Sequence, residues 1–337
     1  MRKILSVSIA AYNVAQTLAE CLDPFLETGV MDELDIMVID DGSSDDTRKI
    51  AEQYTRSYPD TFRIISKENG GWGSTVNTGI REARGLYFKQ LDGDDHYDPA
   101  AVGPFVRYLR SEPGDLVITP YIAYDSESGT VISKEDCNPG YEKEKIYLLQ
   151  EVHEFSPFMH SLSVRTSLLK EGKVSITEHC FYTDTEFVLK ACNHARTVSF
   201  FDIPVYYYRR AALGQSMSLD GFEKHYMDQY RVIEVCLVYM QQQVRREEVR
   251  AIYDKLLFGT CFWQYMIMFY ISATGQHKKD LKAFDRMLKE KAPDYYAKID
   301  FKELKILRKT KFIGYFILAP YKKKKDNRFT ADGRLRE

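Results

Sequence analysis

The sequence predicts an α/β fold: a mostly parallel sheet flanked by helices, followed by a C-terminal helical extension. Three observations carry this. Four apolar strand-like runs alternate with helical patterns through residues 4–110. The runs are nearly continuous in their apolar character, as strands covered on both faces of a parallel sheet are. Beyond residue 218 the strand signal stops and long 3.6-residue periodicity takes over.

Element by element, "ILSVSIA" (4–10) is the first strand and a helix-like stretch spans 15–28. "LDIMVID" (34–40) precedes the helical "SDDTRKIAEQYTRSY", and "FRIIS" (62–66) leads into "STVNTGIREARG". "LYFKQL" (86–91) is the fourth strand, with "AAVGPFVRYLR" as its helix. The opening "MRKILSVSIAAYN" has a charged start, but its apolar stretch is too short for a secretory signal and runs straight into the pattern. Helices are expected over 219–243, 247–274, 277–290 and 294–309. The 18-residue run "LLFGTCFWQYMIMFYISA" (256–273) touches the lower edge of a membrane-spanning length. Gln264, Thr260 and several tyrosines dilute it and neither flank is strongly basic, so a buried helix is expected. The division is therefore 1–215 for the sheet domain, in two halves (1–95 and 96–215), then 216–337 as a helical region with a basic tail.

Composition narrows the function classes. At 337 residues, 44% hydrophobic and 28% charged, this is an ordinary globular chain with room for a large domain and an extension. A net charge of −2 gives no global attraction to nucleic acid, and no nucleic-acid partner is expected. Six cysteines lie scattered without C-x-x-C spacing, which reads as reduced thiols in a cytosolic compartment and not as a zinc site.

In open α/β sheets ligands bind beyond the carboxyl ends of the strands. Here those ends read "AAYN", "DDGSSDDT", "KENGGWGS" and "DGDD", so one crevice collects Tyr12, Asn13, Asp40, Asp41, Asn69, Gly70, Gly71, Asp92, Asp94 and Asp95. Each segment alone could be a turn and helix cap; four on one edge point to a site. Adjacent carboxylates repel and hold protons more tightly. Hard divalent cations take oxygen ligands, typically one or two carboxylates plus substrate phosphates. An acidic D-x-D after an apolar strand thus suits a metal-bound diphosphate.

"SIAAYN", "VIDDGSSDDT", "ENGGWGSTVNTGI" and "LDGDD", in that order and spacing, resemble a family 2 glycosyltransferase with the GT-A fold over residues 3–210. The resemblance implies a nucleotide-sugar donor, usually UDP-linked, a divalent cation (Mn2+ or Mg2+) and inversion at the anomeric carbon. It implies that Tyr12 lines the base pocket and Asp40 accepts from the uracil ring. Asp92 would lie near ribose and metal, and Asp94 would be the main metal ligand, the pair forming the metal set. Further donor contacts are implied at Ala10, Asn13, Asp41, Asn69, Gly71 and Asn77. The sequence departs from the pattern at Ala10 and Ala11, where the family often carries proline; no chemical group is lost.

An inverting transfer needs a base for the acceptor hydroxyl. The resemblance places it at the start of the helix in "EHCFYTDTEFVLKAC" (178–192), where Thr183 stands in place of a common Glu. Asp184 is the expected base and Glu186 the second candidate; the alternative is that Asp184 merely complements the helix dipole. "VYYYRRAALGQSMS" (205–218) resembles the segment that closes over the diphosphate, so Arg209 or Arg210 could neutralise the leaving UDP, surface arginines being the other reading. His160 is a candidate for the acceptor pocket or a structural histidine, and Trp72 a candidate flank for the donor sugar.

The activity expected is sugar transfer to a glycan or lipid-linked sugar acceptor in cell-surface polysaccharide or glycolipid synthesis. The alternatives are a sugar nucleotidyltransferase, which would show a Gly-rich, Arg-containing loop where "AAYNVAQ" stands, and a non-catalytic nucleotide-sugar-binding protein. Residues 302–325 carry nine basic residues against one acid, Glu303. Lys322 to Lys325 follow an apolar segment with Phe312, Tyr315, Phe316 and Tyr321. The expectation is peripheral contact with an anionic membrane from the cytoplasmic side; the competing reading is a final core helix with a solvated tail.

Overall fold

The computed structural model describes residues 2–210 and 218–328. The four apolar runs form parallel strands β1 (Leu5–Ala11), β2 (Leu34–Asp40), β3 (Phe62–Ser66) and β4 (Tyr87–Asp92), within a residue of the expected bounds. Their side chains explain it: β2 is buried at every position, and Leu5, Val7 and Ile9 of β1 have no solvent exposure. Burying such runs on both faces supplies the main driving force for the layer.

The helices between them are α1 (Leu18–Leu22), α2 (Thr47–Ser57), α3 (Trp72–Glu82) and α4 (Pro99–Arg110). The expected helix over 15–28 is shorter than its pattern. It ends at Leu22 and gives way to a 3-10 turn, Asp23–Phe25, because Pro24 cannot donate to a continuing helix.

A short β5 (His96–Tyr97) lies between β4 and α4, and beyond α4 come β6 (Leu116–Ile118), β7 (Tyr121–Asp125), β8 (Val131–Glu135), β9 (Tyr147–Leu148), β10 (Leu162–Arg165), α5 (Thr166–Glu171), α6 (Asp184–His194), β11 (Thr197–Phe200) and β12 (Tyr206–Arg210). The main sheet has the order β3-β2-β1-β4-β10-β6-β11-β9. It is parallel from β3 to β4, and β10 then enters antiparallel to both β4 and β6. A second sheet, β5-β12-β7-β8, carries β12 parallel to β7. The sheet is thus parallel in its β3-to-β4 half and mixed in the other.

The described residues divide into two compact units after Arg210, with Arg245–Ile252 joining the first. The expected domain boundary at 215–216 lies outside the described residues, as do positions 211–217 of the segment expected to close over the diphosphate. The second unit is helical: α7 (Leu219–Gln243), most of α8 (Glu247–Tyr270), α9 (Gly275–Lys291), α10 (Pro293–Lys298), α11 (Lys302–Lys309) and α12 (Tyr315–Asp326). The single helix expected over 294–309 is two. Arg308 folds back so that its guanidinium donates to the carbonyls of Tyr296 and Ile299, 3.0 Å each, and to Asp285 at 2.8 Å. That satisfies carbonyls at the end of α10 which a continuous helix would have used itself. The apolar run from residue 256 lies in α8 as a largely buried helix, and no described helix is long and apolar enough to cross a membrane.

Candidate active site

The strand register assembles the site's floor. Ala10 lies between Ile39 and Asp92 on the two neighbouring strands, and Ala11 pairs with Asp40. Asp40, the alanines and Asp92 therefore stand side by side at the carboxyl edge, one interstrand step of about 4.8 Å apart.

Beyond β4 the chain turns sharply through Asp94 and Asp95, and β12 holds that turn. Asp95 is buried; one oxygen accepts from the Tyr206 hydroxyl at 2.5 Å and the other from the Arg209 backbone N–H at 2.6 Å. The Arg209 guanidinium donates to the Asp94 carbonyl at 2.7 Å and to Glu20 at 2.5 Å, with its charge 5.6 Å from the Tyr124 ring centre. Arg209 is thus brought to the acidic turn, as a brace across it. Asp92 is half-buried, and the Trp72 indole N–H donates to its carboxylate at 2.7 Å. Trp72 therefore grips an acid of the cluster.

The electrostatics follow from crowding. Burial, then the Asp94 charge, pushes the Asp92 carboxyl up to about 7, against the Trp72 hydrogen bond, while Asp184 adds to the rise. Burial likewise raises Asp94 and, more strongly, Asp95. Acids that cannot ionise together without cost await a counter-charge. Asp92, Asp95 and His160 offer ligand atoms within 4.8 Å of one another, the one such group among the described residues. His160 has a buried Nδ1 without a hydrogen-bond partner, and burial, helped by Lys89, pulls its pKa down to about 3, leaving a neutral ring. Carboxylate oxygens too close to share charge, beside an unpartnered neutral imidazole nitrogen, fit a divalent cation. Asp94 lies outside that trio; both Asp95 oxygens are already engaged.

Two loops flank the carboxyl edge on its other side. Asn13, at a left-handed φ of 53°, accepts from the Ser44 N–H at 2.9 Å, and Asp40 accepts from the Ser43 N–H at 2.9 Å. Tyr12 leaves its ring 53% exposed beside them. Asp41 turns inward. It accepts from the N–H groups of Gly70 (3.0 Å) and Gly71 (2.8 Å) and pairs with Lys67 at 2.7 Å, while Asn69 donates to its carbonyl. Asp41 and Asn69 thus shape the glycine loop. Gly71 starts α3 at φ 79°, a conformation glycine adopts without penalty.

Helix α3 also fixes the approach to Asp184. Asn77 donates to the Ile176 carbonyl (2.9 Å) and Glu178 (3.0 Å), and accepts from the Ile176 N–H at 2.7 Å. Its amide is committed to that loop. Gly73 packs so closely that a Cβ would sit 2.1 Å from the Thr177 carbonyl oxygen. The loop delivers Asp184 as the first residue of α6, where a helix N-terminus favours negative charge. Asp184 is exposed, yet the protein around it keeps its carboxyl above the usual range. Glu186 has no exposure; it pairs with Lys190 at 2.6 Å and accepts from the Thr177 N–H. It is a structural residue of the helix. Thr183 is buried as well.

The residue most clearly missed from sequence is Lys89. It has no solvent exposure, donates to the carbonyls of His160 (2.8 Å) and Leu162 (3.3 Å), and burial draws its pKa down to about 7. The signal was present: a lysine inside a strand expected to be buried on both faces. His160, positioned from below by Lys89, packs among Tyr206, Tyr208 and Tyr121 at 4.9, 4.5 and 5.0 Å between ring centres.

The α/β sheet with an acidic turn at the end of its fourth strand, two loops at the carboxyl edge and a carboxylate at a helix start is that of a glycosyltransferase with the GT-A fold. The fold agrees: S. aureus TarS 1–349, solved with UDP-GlcNAc, matches with a TM-score of 0.66 over 96% of this chain and 92% of that one, at 18% identity. Residues 6–168 match the model of Glycosyl transferase family 2. Among sequence relatives, EpsH of Bacillus subtilis (strain 168), named as a glycosyltransferase, is 27% identical over 75% of this chain and 74% of its own length. A chondroitin synthase of Escherichia coli is 32% identical over 46% of this chain, which is 22% of that larger protein.

Proposed function

We propose that the protein transfers a sugar from a UDP-sugar to a hydroxyl of a glycan or lipid-linked sugar, with inversion, as a step in cell-surface polysaccharide or glycolipid synthesis. Asp184 takes the proton from the acceptor hydroxyl as that oxygen attacks the anomeric carbon. The bond from that carbon to the diphosphate breaks in the same step and UDP leaves. The observation carrying this reading is that the loop held by Asn77 of α3 delivers Asp184 to the exposed start of α6, on the side where its charge bears on Asp92 of the acidic turn. Positioned general bases of this kind contribute about 10²- to 10⁴-fold.

Tyr12 and Asp40 line the uridine pocket, with Ala10 and Asn13 beside them, while Asp41, Asn69 and Gly71 keep the glycine loop in shape. A divalent cation, manganese or magnesium, held by Asp92 and, since both Asp95 oxygens are engaged within the protein, by Asp94, would neutralise charge on the diphosphate. Arg209 adds a fixed positive charge behind Asp94. TarS structures contain UDP-GlcNAc and UDP, which supports a uridine donor. The workplace proposed is the cytoplasmic face of the membrane, touched peripherally.

The experiment is product analysis on purified protein given UDP-sugars, with and without manganese. UDP release supports the reading, pyrophosphate points to a nucleotidyltransferase, and no turnover points to a binding protein.

A further inference from the structure

The C-terminal helices separate the apolar residues of 302–325 into two sets. Phe312 and Tyr315 are buried, and the Tyr315 hydroxyl donates to the Met268 carbonyl at 2.7 Å. Ile313, Phe316, Ile317 and Tyr321 do the opposite: they are 74%, 47%, 76% and 56% exposed. Ile313, Ile317 and Tyr321 recur every four residues, with Phe316 beside Ile317, which lays them along one outward face of α12 and the turn before it. A soluble surface seldom lines up four large apolar side chains in this way.

The charges divide similarly. Of the nine basic residues, Arg308 and Lys322 are drawn inward to Asp285 and Asp326, both at 2.8 Å. Lys309, Lys311, Lys324 and Lys325 stay exposed at the two ends of the stripe, and Lys278 of α9 lies 5.3 Å from the Phe316 ring centre. The one acid of the segment, Glu303, is buried beneath Lys322 and Lys325. An apolar stripe with cationic ends and no exposed acid between residues 302 and 325 matches the layering of an anionic bilayer surface, with apolar groups in the acyl boundary and ammonium groups among phosphates. Tyr321 suits the interface, where amphipathic rings collect. At 12 residues, α12 is too short to span the layer and would lie in its plane.

From this arrangement we infer that the outward face of α12 docks the protein onto anionic lipid, with Ile313, Phe316, Ile317 and Tyr321 inserted and the flanking lysines on the headgroups. The inference deepens the proposed membrane contact and rests on it. It differs from the sequence expectation in its residues: Phe312, Tyr315 and Lys322 belong to the core and take no part.

The test is co-sedimentation of full-length protein with phosphatidylcholine vesicles, with and without phosphatidylglycerol, at low and high salt. The wild type should pellet with the anionic vesicles at low salt and be released by high salt. Ile313→Ser combined with Ile317→Ser should lower partitioning at least tenfold at unchanged thermal stability and donor hydrolysis. Lys324→Gln combined with Lys325→Gln should lower it on anionic vesicles and remove most of the salt dependence. Wild type left in the supernatant at low salt, or a serine variant that pellets equally, overturns the inference. So does a dimer in solution that the serine variant abolishes while no vesicle binding is seen, which would assign the face to a second copy. The two readings fail separately: protein that releases UDP but never pellets loses only the anchor, and protein that pellets without turnover loses only the chemistry.

Discussion

Replacing Trp72 by Phe removes one hydrogen bond and little else. The donor is the indole N–H, 2.7 Å from the Asp92 carboxylate, while the edge contact with Phe187, 6.4 Å between ring centres, involves a ring that Phe keeps in part. Hydrogen bonds to charged groups contribute about 1.5–3 kcal/mol. The loss depends on pH. The Asp92 carboxyl is raised to about 7 in the folded protein against 3.8 unfolded, so this group favours unfolding progressively as pH climbs between those values. The Trp72 bond works against that rise, by holding the ionised form. Without it the folded pKa climbs further, and the extra destabilisation appears above about pH 7, where the wild-type carboxylate is ionised. Urea midpoints in the presence of EDTA should therefore differ little between wild type and Trp72→Phe near pH 5 and by about 1 kcal/mol near pH 8. UDP-sugar affinity at neutral pH should fall about tenfold or more, one factor of ten for each 1.4 kcal/mol. A stability difference that stays flat from pH 5 to 8, or wild-type donor affinity in the variant, would refute the argument that Trp72 holds the ionised Asp92.

Other outcomes follow from the same geometry. Asp184→Asn keeps shape but cannot accept the proton, so transfer should drop by about 10²-fold or more while UDP affinity, read by calorimetry, stays near wild type; normal transfer would hand the role to another residue. Asp94→Asn should weaken UDP binding chiefly when manganese is present; equal affinity with and without metal in both proteins would remove Asp94 from the metal set. Lys89→Met should alter pH dependence in the same sense as Trp72→Phe, by removing a gain and not by deepening a loss. The folded lysine titrates near 7 against 10.5 unfolded, so the unfolded chain binds more protons between those values and the wild type gains stability as pH rises through them. The Met variant should lack that gain, on the order of a few kcal/mol, in urea titrations between pH 7 and 10.

By itself the sequence determined the strands and the edge at which the site would form. β1 to β4 are short apolar runs whose burial is favourable in any parallel sheet, so their bounds are local information, and a strand end must leave the sheet where such a run turns polar. The acidic turn, the glycine loop and the helix beginning at Asp184 were legible for the same reason. Tertiary structure decided which neighbour each side chain meets. Trp72 reaches Asp92 across 20 positions, and Tyr206 reaches Asp95 across 111. Trp72, expected at the donor sugar, also grips Asp92, and Arg209, expected at the diphosphate, also braces Asp94 against Glu20. The antiparallel entry of β10, which brings Leu162 and His160 over Lys89, left no periodic trace. The same holds for the C-terminal aromatics, where one apolar segment divides into core residues and an exposed face. Periodicity reports that a face is apolar, but only the packing of α12 against its neighbours determines which side of the helix is covered, because hydrophobic burial is non-directional and hydrogen bonds need partners within about 3 Å.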